Sequence, residues 1–218
     1  MFRNPIQMPK GSKFRLTNRF GPVIAAYREF YKKNYNIDFH AGIDARIEGP
    51  HYKSYGTPIL SMFHGKGVYT KFDKPFGKNA NGVMVESHDG KWRATYWHLS
   101  RLDVKFEEHV LEGQILGLMG NTGIVNPAPS LSNPYNGVHL HLTLEMKRPE
   151  GMTDAQWDAL HPREKEGNWM RVDPLLYMDV NDITYAPDLG GNTDVPPLMW
   201  QVKHLITQVK ALIAFRKR

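Results

Sequence analysis

The chain has 218 residues, with 28 Lys or Arg against 22 Asp or Glu for a net charge of +6, and it contains no Cys. Its 41% hydrophobic content is typical of a globular protein and excludes a disulfide-stapled mini-protein, a thiolate zinc site, a collagen-like chain and a disordered tail. The positive charge lies in residues 1–28 and 198–218, which contain no acid, and no nucleic-acid-binding motif accompanies it, so we expect no nucleic-acid partner.

The N-terminal residues are basic and contain no apolar run long enough for the core of a signal peptide. We therefore expect the protein to reach its place of action by phage-type release or a non-standard export route. The longest apolar-rich segment, near the C-terminus, is interrupted by Lys203, His204 and Lys210, which argues against a membrane span.

The middle of the chain has the pattern of an antiparallel sheet. A short helix is predicted over residues 24–33. From Thr57 to about Glu145, alternating Val, Ile, Tyr and Thr residues are separated by Gly-rich turns. Residues 88–91 (HDGK) predict the tip of a hairpin, and residues 126–137 a loop. A second polar insertion, 147–169, contains a predicted helical turn at TDAQWDAL.

The pattern changes after Val172-Asp173-Pro174. We assign residues 1–178 to one mostly β domain, 179–197 to a linker and 198–218 to a basic amphipathic helix with apolar residues at i, i+3, i+4 and i+7. The apolar face of this helix has two interpretations. It packs on the domain or on a second copy of the chain, or it contacts a membrane surface.

Two short motifs carry metal-binding side chains. His40 and Asp44 lie four apart with Gly42 between them, and in an extended chain an even separation places both on one face. His139 and His141 alternate with apolar residues in a predicted strand, so they also share a face. Each motif is expected by chance in a chain with ten His, so neither is specific alone.

His98, in the segment Tyr96-Trp97-His98-Leu99-Ser100, is a further candidate, although a single His at a strand end more often bonds the backbone. Considered together, these histidines suggest a zinc site. Two His and one carboxylate leave one position of a tetrahedral zinc open for water, which marks a catalytic rather than a structural site.

The order of motifs along the chain resembles that of the M23 (lysostaphin/LytM-type) zinc metallopeptidases. The resemblance covers roughly residues 15–176. It rests on Arg19-Phe20-Gly21, His40-Ala41-Gly42-Ile43-Asp44, Gly56-Thr57-Pro58, His64-Gly65-Lys66-Gly67-Val68, Tyr96-Trp97-His98-Leu99-Ser100, Gly113-Gln114-Ile115-Leu116-Gly117, Gly120-Asn121-Thr122-Gly123, His139-Leu140-His141 and Val172-Asp173-Pro174.

This resemblance implies a mostly β fold with a groove over antiparallel sheets. It also implies one Zn²⁺ ion held by His40, Asp44 and His141, with His98 and His139 as the catalytic pair. The implied activity is a zinc-dependent endopeptidase acting on cross-links or stem peptides of bacterial peptidoglycan, at the cell wall. Two departures concern the substrate: Trp97 replaces a small residue, and loop 126–137 is long, so that it would extend the cleft wall or cover the site.

Two other functions remain open on the sequence. A catalytically silent M23-like module would bind or regulate at the cell wall without hydrolysis. A zinc peptidase or carboxypeptidase with another substrate would keep the same metal ligands. The presence of all five site residues favours the endopeptidase over the silent module.

Overall fold

The computed structural model describes residues 1–71, 79–160, 165–180 and 183–185. Within these residues the fold consists of many short strands, two α-helices and three 3₁₀ helices. The first strands are β1 (Phe14–Asn18), β2 (Gly21–Pro22), β3 (Phe39–His40), β4 (Ile43–Ile47), β5 (Pro58–Leu60), β6 (Gly65–Lys71), β7 (Gly82–Ser87) and β8 (Trp92–Trp97). The remaining strands are β9 (Leu99–Leu102), β10 (His109–Val110), β11 (Ile115–Met119), β12 (Leu140–Lys147), β13 (Lys165–Glu166), β14 (Trp169–Val172) and β15 (Ile183–Tyr185). The α-helices are α1 (Arg28–Tyr35) and α2 (Asp154–Leu160), and the 3₁₀ helices are Ala25–Tyr27, His51–Lys53 and Pro174–Leu176.

Most of the described strands belong to one large sheet with the order β10-β6-β7-β8-β12-β4-β1-β15. All its pairings are antiparallel except that of β1 with β15. Strand β12 pairs along one edge with β8 and shares its other edge between β4, near its start, and β14, near its end. This arrangement places β12 at the centre of the sheet, with neighbours from distant parts of the chain.

The large sheet has an apolar face and a polar face. Leu140, Leu142 and Leu144 of β12 are at most 1% exposed and belong to the hydrophobic core. The alternate residues of the same strand, His141, Thr143 and Glu145, point to the opposite face. Strand alternation therefore separates the core from a polar surface within one strand.

A smaller sheet, β5-β11-β9, lies beside the large one, and β2 pairs with β3 in a two-stranded ribbon. The chain passes from the large sheet to the small one between β8 and β9, at His98. The backbone of His98 has a φ of 65°. Residues other than Gly rarely adopt this left-handed conformation, and it recurs at functional sites.

Several local predictions are confirmed. The helix predicted at 24–33 is the 3₁₀ turn followed by α1. Asn36 caps the C-terminus of α1 with a φ of 54°, a left-handed conformation that Asn tolerates. Residues 88–91 join β7 to β8, with Gly90 at a φ of 66°. The predicted helical turn of the 147–169 insertion is α2, and the antiparallel β class is also confirmed.

Part of the predicted C-terminal linker is a strand. Ile183–Tyr185, inside the predicted linker 179–197, forms β15 and extends the sheet beside β1, because its backbone finds an edge strand with which to pair. The predicted helix 198–218 lies outside the described residues. Among the residues that the structure describes, there is no helix of the length and apolarity that a membrane crossing requires.

Candidate metal centre and groove

His40, Asp44 and His141 converge at the polar face of the large sheet. Nε2 of His40 lies 3.0 Å from Nδ1 of His141 and 3.2 Å from Oδ1 of Asp44. Nδ1 of His141 lies 2.8 Å from the same carboxylate oxygen. Ligands of a tetrahedral zinc with bonds of about 2.0–2.1 Å are about 3.3 Å apart, so these separations fit one ion.

The opposite ring nitrogens of both histidines are occupied. Nδ1 of His40 lies 2.8 Å from the carbonyl oxygen of Arg19, which accepts a hydrogen bond from it. Nε2 of His141 lies 3.1 Å from Oγ1 of Thr143. The Arg19 carbonyl leaves the lone pair of neutral His40 on Nε2, and the tautomer of His141 that donates to Thr143 has its lone pair on Nδ1. In that state both imidazoles and the Asp44 carboxylate offer lone pairs to one point. The donor set therefore fits a divalent metal.

Different elements position the three side chains. His40 is on β3 and Asp44 on β4, so the two are not on one continuous strand as the spacing suggested. The Gly42 between them is required by close packing, because a Cβ there would collide with the carbonyl oxygen of Leu142. His141 is directly opposite Asp44 in the β4–β12 pairing.

His98 and His139 form a second pair of imidazoles beside this triad. Their ring centroids are 4.5 Å apart, and Nε2 of His139 lies 3.6 Å from Oδ1 of Asp44. Nδ1 of His98 bonds the carbonyl oxygen of Thr122 at 2.7 Å, and Nδ1 of His139 bonds that of Gly137 at 2.7 Å. Each ring therefore carries its proton on Nδ1 and presents the lone pair of Nε2.

Burial and charge set the protonation of these groups. Burial lowers the pKa of His98 to about 3, aided by repulsion from His139 and His141, so His98 is neutral. Burial by itself would lower the pKa of His40, but the adjacent Asp44 carboxylate raises it overall. Burial would raise the pKa of Asp44, yet its histidine neighbours hold that pKa well below the ordinary value, so its carboxylate is ionised.

Two residues that the sequence did not predict, Tyr31 and Asn18, also lie beside Asp44. The Tyr31 hydroxyl lies 3.5 Å from Oδ2 of Asp44 and accepts a hydrogen bond of 2.7 Å from the side-chain amide of Asn18. Burial, followed by the charge of Asp44, raises the pKa of Tyr31. Strand alternation beyond His141 would have identified Thr143, whereas no local pattern connects Tyr31 of α1 to Asp44.

The site opens into a groove of about 730 Å³ over the polar face. Trp97 lines this groove, and its ring lies over Gly82 of the neighbouring strand, where a Cβ would approach the ring to 2.3 Å. Loop 126–137 contributes only Asn126 among the described lining residues, so it borders one end of the groove without covering it. The loop also supports the site, because its last residue, Gly137, holds His139.

The chain belongs to peptidase family M23. The sequence model described as "Peptidase family M23" matches residues 38–152, which include all five site residues predicted from the sequence. The family consists of zinc metallopeptidases, and the His40, Asp44 and His141 cluster fits a metal site.

Curated relatives match about half of the chain or more. Lysostaphin of Staphylococcus staphylolyticus is 34% identical over 110 residues, which are 46% of this chain and 21% of lysostaphin. Peptidoglycan DD-endopeptidase ShyA of Vibrio cholerae is 30% identical over 136 residues, which are 62% of this chain and 26% of ShyA. The matched region thus spans about a fifth to a quarter of these relatives.

A solved structure supports the fold. The fold of this chain matches that of a chain in the SpoIIQ-SpoIIIAH pore forming complex, with a TM-score of 0.51 and 19% sequence identity. The match covers 82% of this chain and 90% of that one. At this identity the match concerns the fold alone.

Proposed function

We propose that the protein is a zinc-dependent endopeptidase that hydrolyses peptide cross-links or stem peptides of bacterial peptidoglycan. Membership of family M23 supports a peptidase. A relative named as a peptidoglycan DD-endopeptidase supports the substrate class. The observation that carries the proposal is the convergence of His40, Asp44 and His141 beside two further imidazoles in an open groove.

His40, Asp44 and His141 would hold the zinc, with Arg19 and Thr143 fixing the orientation of the two imidazoles. When bound there, zinc would supply a Lewis acid that polarises the scissile carbonyl and lowers the pKa of water to about 7.

His139 and His98 carry the proton transfers in this proposal. We assign proton removal from the attacking water to His139, whose Nε2 presents a lone pair close to the ligand atoms. His98, which burial keeps neutral and which lies beside His139, would contact the scissile group. A proton accepted by His139 is then available to the leaving amine, which balances the hydrolysis.

Charge supports the place of action. The basic segments 1–28 and 198–218 would favour the polyanionic surroundings of a bacterial wall, an effect that salt would weaken. Action at the cell wall is part of the proposal, as is any contact of segment 198–218 with a membrane or a second copy.

The test is digestion of several purified peptidoglycan types with the zinc-loaded protein, followed by mass spectrometry of the products. We expect an internal peptide bond to be cut in at least one type, and cutting by the His139→Ala variant to be at least about a hundredfold slower. Release of a single terminal residue would instead identify a carboxypeptidase. Wall binding without products in every type would identify a silent module, and either result would overturn the proposal.

A further inference from the structure

His88 and His109 form a pair of imidazoles outside the groove. Nε2 of His88 lies 3.3 Å from Nδ1 of His109, and the centroids of the two rings are 5.5 Å apart. Both residues are exposed, and neither lines the groove. Neither belongs to a motif of the M23 resemblance, and neither has a part in the proposed hydrolysis.

Strand pairing brings these two histidines together from different segments. His109 is on β10, opposite Lys66 of β6, and Lys66 is in turn opposite Glu86 of β7. His88 directly follows β7, two residues beyond Glu86. The positive charge that lies between the segments is offset, because Nζ of Lys66 forms an ion pair of 3.0 Å with Glu107.

The pair is distant from the candidate metal centre. Gly82 on β7 is opposite Trp97 of β8, which is opposite His141 of β12. His88 is six residues beyond Gly82, which corresponds to about 20 Å of strand. An ion held at the pair would therefore be separate from an ion held by His141.

Backbone hydrogen bonds hold both segments in place. The N–H of His88 donates to the carbonyl oxygen of His64 at 3.1 Å, which continues the β6–β7 pairing into the turn. Near His109, the N–H of Glu107 donates to the carbonyl oxygen of Gly67 at 2.7 Å. The two imidazoles therefore meet on paired backbone, and an ion would not have to order a loop in order to bind them.

These imidazoles differ from those of the other described histidines. Each of the others bonds a backbone group or a hydroxyl group through a ring nitrogen, as His64 does with the N–H of Glu112. Within the described part of the chain, the rings of His88 and His109 hydrogen-bond only each other. Each ring is thus free to carry its proton on the outer nitrogen and to present a lone pair to the other ring.

In that state the pair offers two lone pairs to one cation. Imidazole nitrogens that bind one ion at about 2.0–2.1 Å, in adjacent coordination positions, lie about 3 Å apart. The 3.3 Å between Nε2 of His88 and Nδ1 of His109 fits this distance. Among the described residues, the only cluster of three or more such ligands is the one that contains His141, so water would fill the other positions at the pair.

We propose that His88 and His109 form a second metal site, specific for Cu²⁺. Two imidazoles with water in the remaining positions give a nitrogen and oxygen ligand set that suits the tetragonal geometry of Cu²⁺, and copper binds most tightly among the divalent first-row metals. Zinc would go first to the centre at His141, which supplies one more protein ligand. The site is independent of the proposed function, because it shares no residue with it.

The test starts from the full-length protein loaded with one equivalent of zinc. Calorimetric titration with Cu²⁺ measures copper binding, and metal analysis of the same sample measures the zinc that remains. We expect one additional equivalent of copper to bind while the zinc is retained, with an electron paramagnetic resonance spectrum that shows two nitrogen ligands. Uptake of copper only in exchange for zinc, or no uptake, would overturn the proposal.

Variants assign the copper to the pair. His88→Gln and His109→Gln should each weaken copper binding by about a hundredfold, because one imidazole lacks the advantage of two linked ligands. Both variants should keep their zinc, which shows that they are folded. His64→Gln is the matched control, since it removes an exposed histidine of the adjoining segment and should leave copper binding unchanged.

The stoichiometry separates a shared ion from two independent ones. If each histidine held its own ion, the wild-type protein would bind two additional equivalents and each variant would lose one, which would overturn the shared site. Undiminished copper binding in either His88→Gln or His109→Gln would overturn it as well. A pair that serves only as a hydrogen bond between segments would give variants with altered stability and unaltered copper binding.

Discussion

The two faces of β12 follow different rules although they alternate along one strand. On the core face, Leu142 is 1% exposed and packs among apolar neighbours from several strands. On the groove face, His141, Thr143 and Glu145 lie among ionisable and hydroxyl groups. The first face contributes to folding through burial of apolar area, at about 25 cal/mol per Å².

The groove face is difficult to explain by stability. Asp44, His40 and Glu145 are all less than 9% exposed, and burial of charged groups contributes little or nothing to folding even when they are paired. Residues of both faces are buried, so burial alone does not identify the residues that take part in chemistry. Position relative to the groove does. Substitutions on the two faces should therefore affect different measurements.

The largest expected effect is that of removing a metal ligand. His141→Ala should abolish zinc binding and peptidase activity together, because two remaining ligands hold zinc poorly, while the free energy of unfolding of the metal-free protein changes little. Metal analysis, a peptidoglycan digestion assay and urea denaturation measure these three quantities. His40→Ala and Asp44→Ala should behave alike, and full activity in His141→Ala would contradict the account.

The next largest effect concerns the second pair of histidines. His139→Ala should retain most of the zinc and lower turnover by about 10²- to 10⁴-fold, the range typical of general acid–base catalysis. His98→Ala should also retain zinc and lose turnover. Measuring zinc content and rate on the same preparations separates these residues from the ligands, and loss of zinc in step with activity would assign His139 to the ligand set.

On the core face, Leu142→Ala should destabilise the fold by about 2–5 kcal/mol through lost burial and a residual cavity. The folded fraction should still bind zinc, because Leu142 points away from the groove. Urea denaturation gives the loss of stability, and zinc titration below the unfolding transition gives the metal content. Wild-type stability together with loss of zinc in this variant would contradict the separate roles of the two faces.

The smallest expected effect concerns a buried acid away from the groove. Burial raises the pKa of Asp173 to about 6, although its carboxylate accepts a hydrogen bond from the backbone N–H of Leu175. Between the ordinary pKa of about 3.8 and about 6, the folded state binds more protons than the unfolded state, so this group lowers stability as pH rises through that window.

Asp173→Asn keeps a side chain that caps the Pro174–Leu176 turn but removes the titration. The variant should therefore lack this loss of stability, a difference of about 1–3 kcal/mol at pH 7, with unchanged activity. Denaturation curves from pH 4 to pH 7 measure it. An identical pH dependence in variant and wild type would show that the Asp173 carboxyl titrates normally.

Local patterns predicted much of the fold because they depend on neighbours in the chain. The alternation around His139 and His141 correctly predicted a strand with a polar face, and residues 88–91 correctly predicted a turn. The parallel pairing of β15 depends instead on which edge of a sheet is available, and nothing within residues 183–185 encodes that.

The structure brings the predicted site residues together, but their spacing did not predict how the strands arrange them. The spacing of His40 and Asp44 suggested one extended segment, whereas two short strands carry them, β3 and β4. Tyr31 was missed because the packing of α1 brings it to Asp44, and Asn18 because it is opposite Asp44 in the pairing of β1 with β4. Such contacts join residues far apart in sequence and leave no periodic pattern.

The most direct test of the metal centre is X-ray diffraction from zinc-loaded crystals at energies on either side of the zinc absorption edge. The account predicts one anomalous peak about 2.0–2.2 Å from Nε2 of His40, Oδ1 of Asp44 and Nδ1 of His141. A peak held by other residues, or none at these three atoms in crystals that contain zinc, would contradict it.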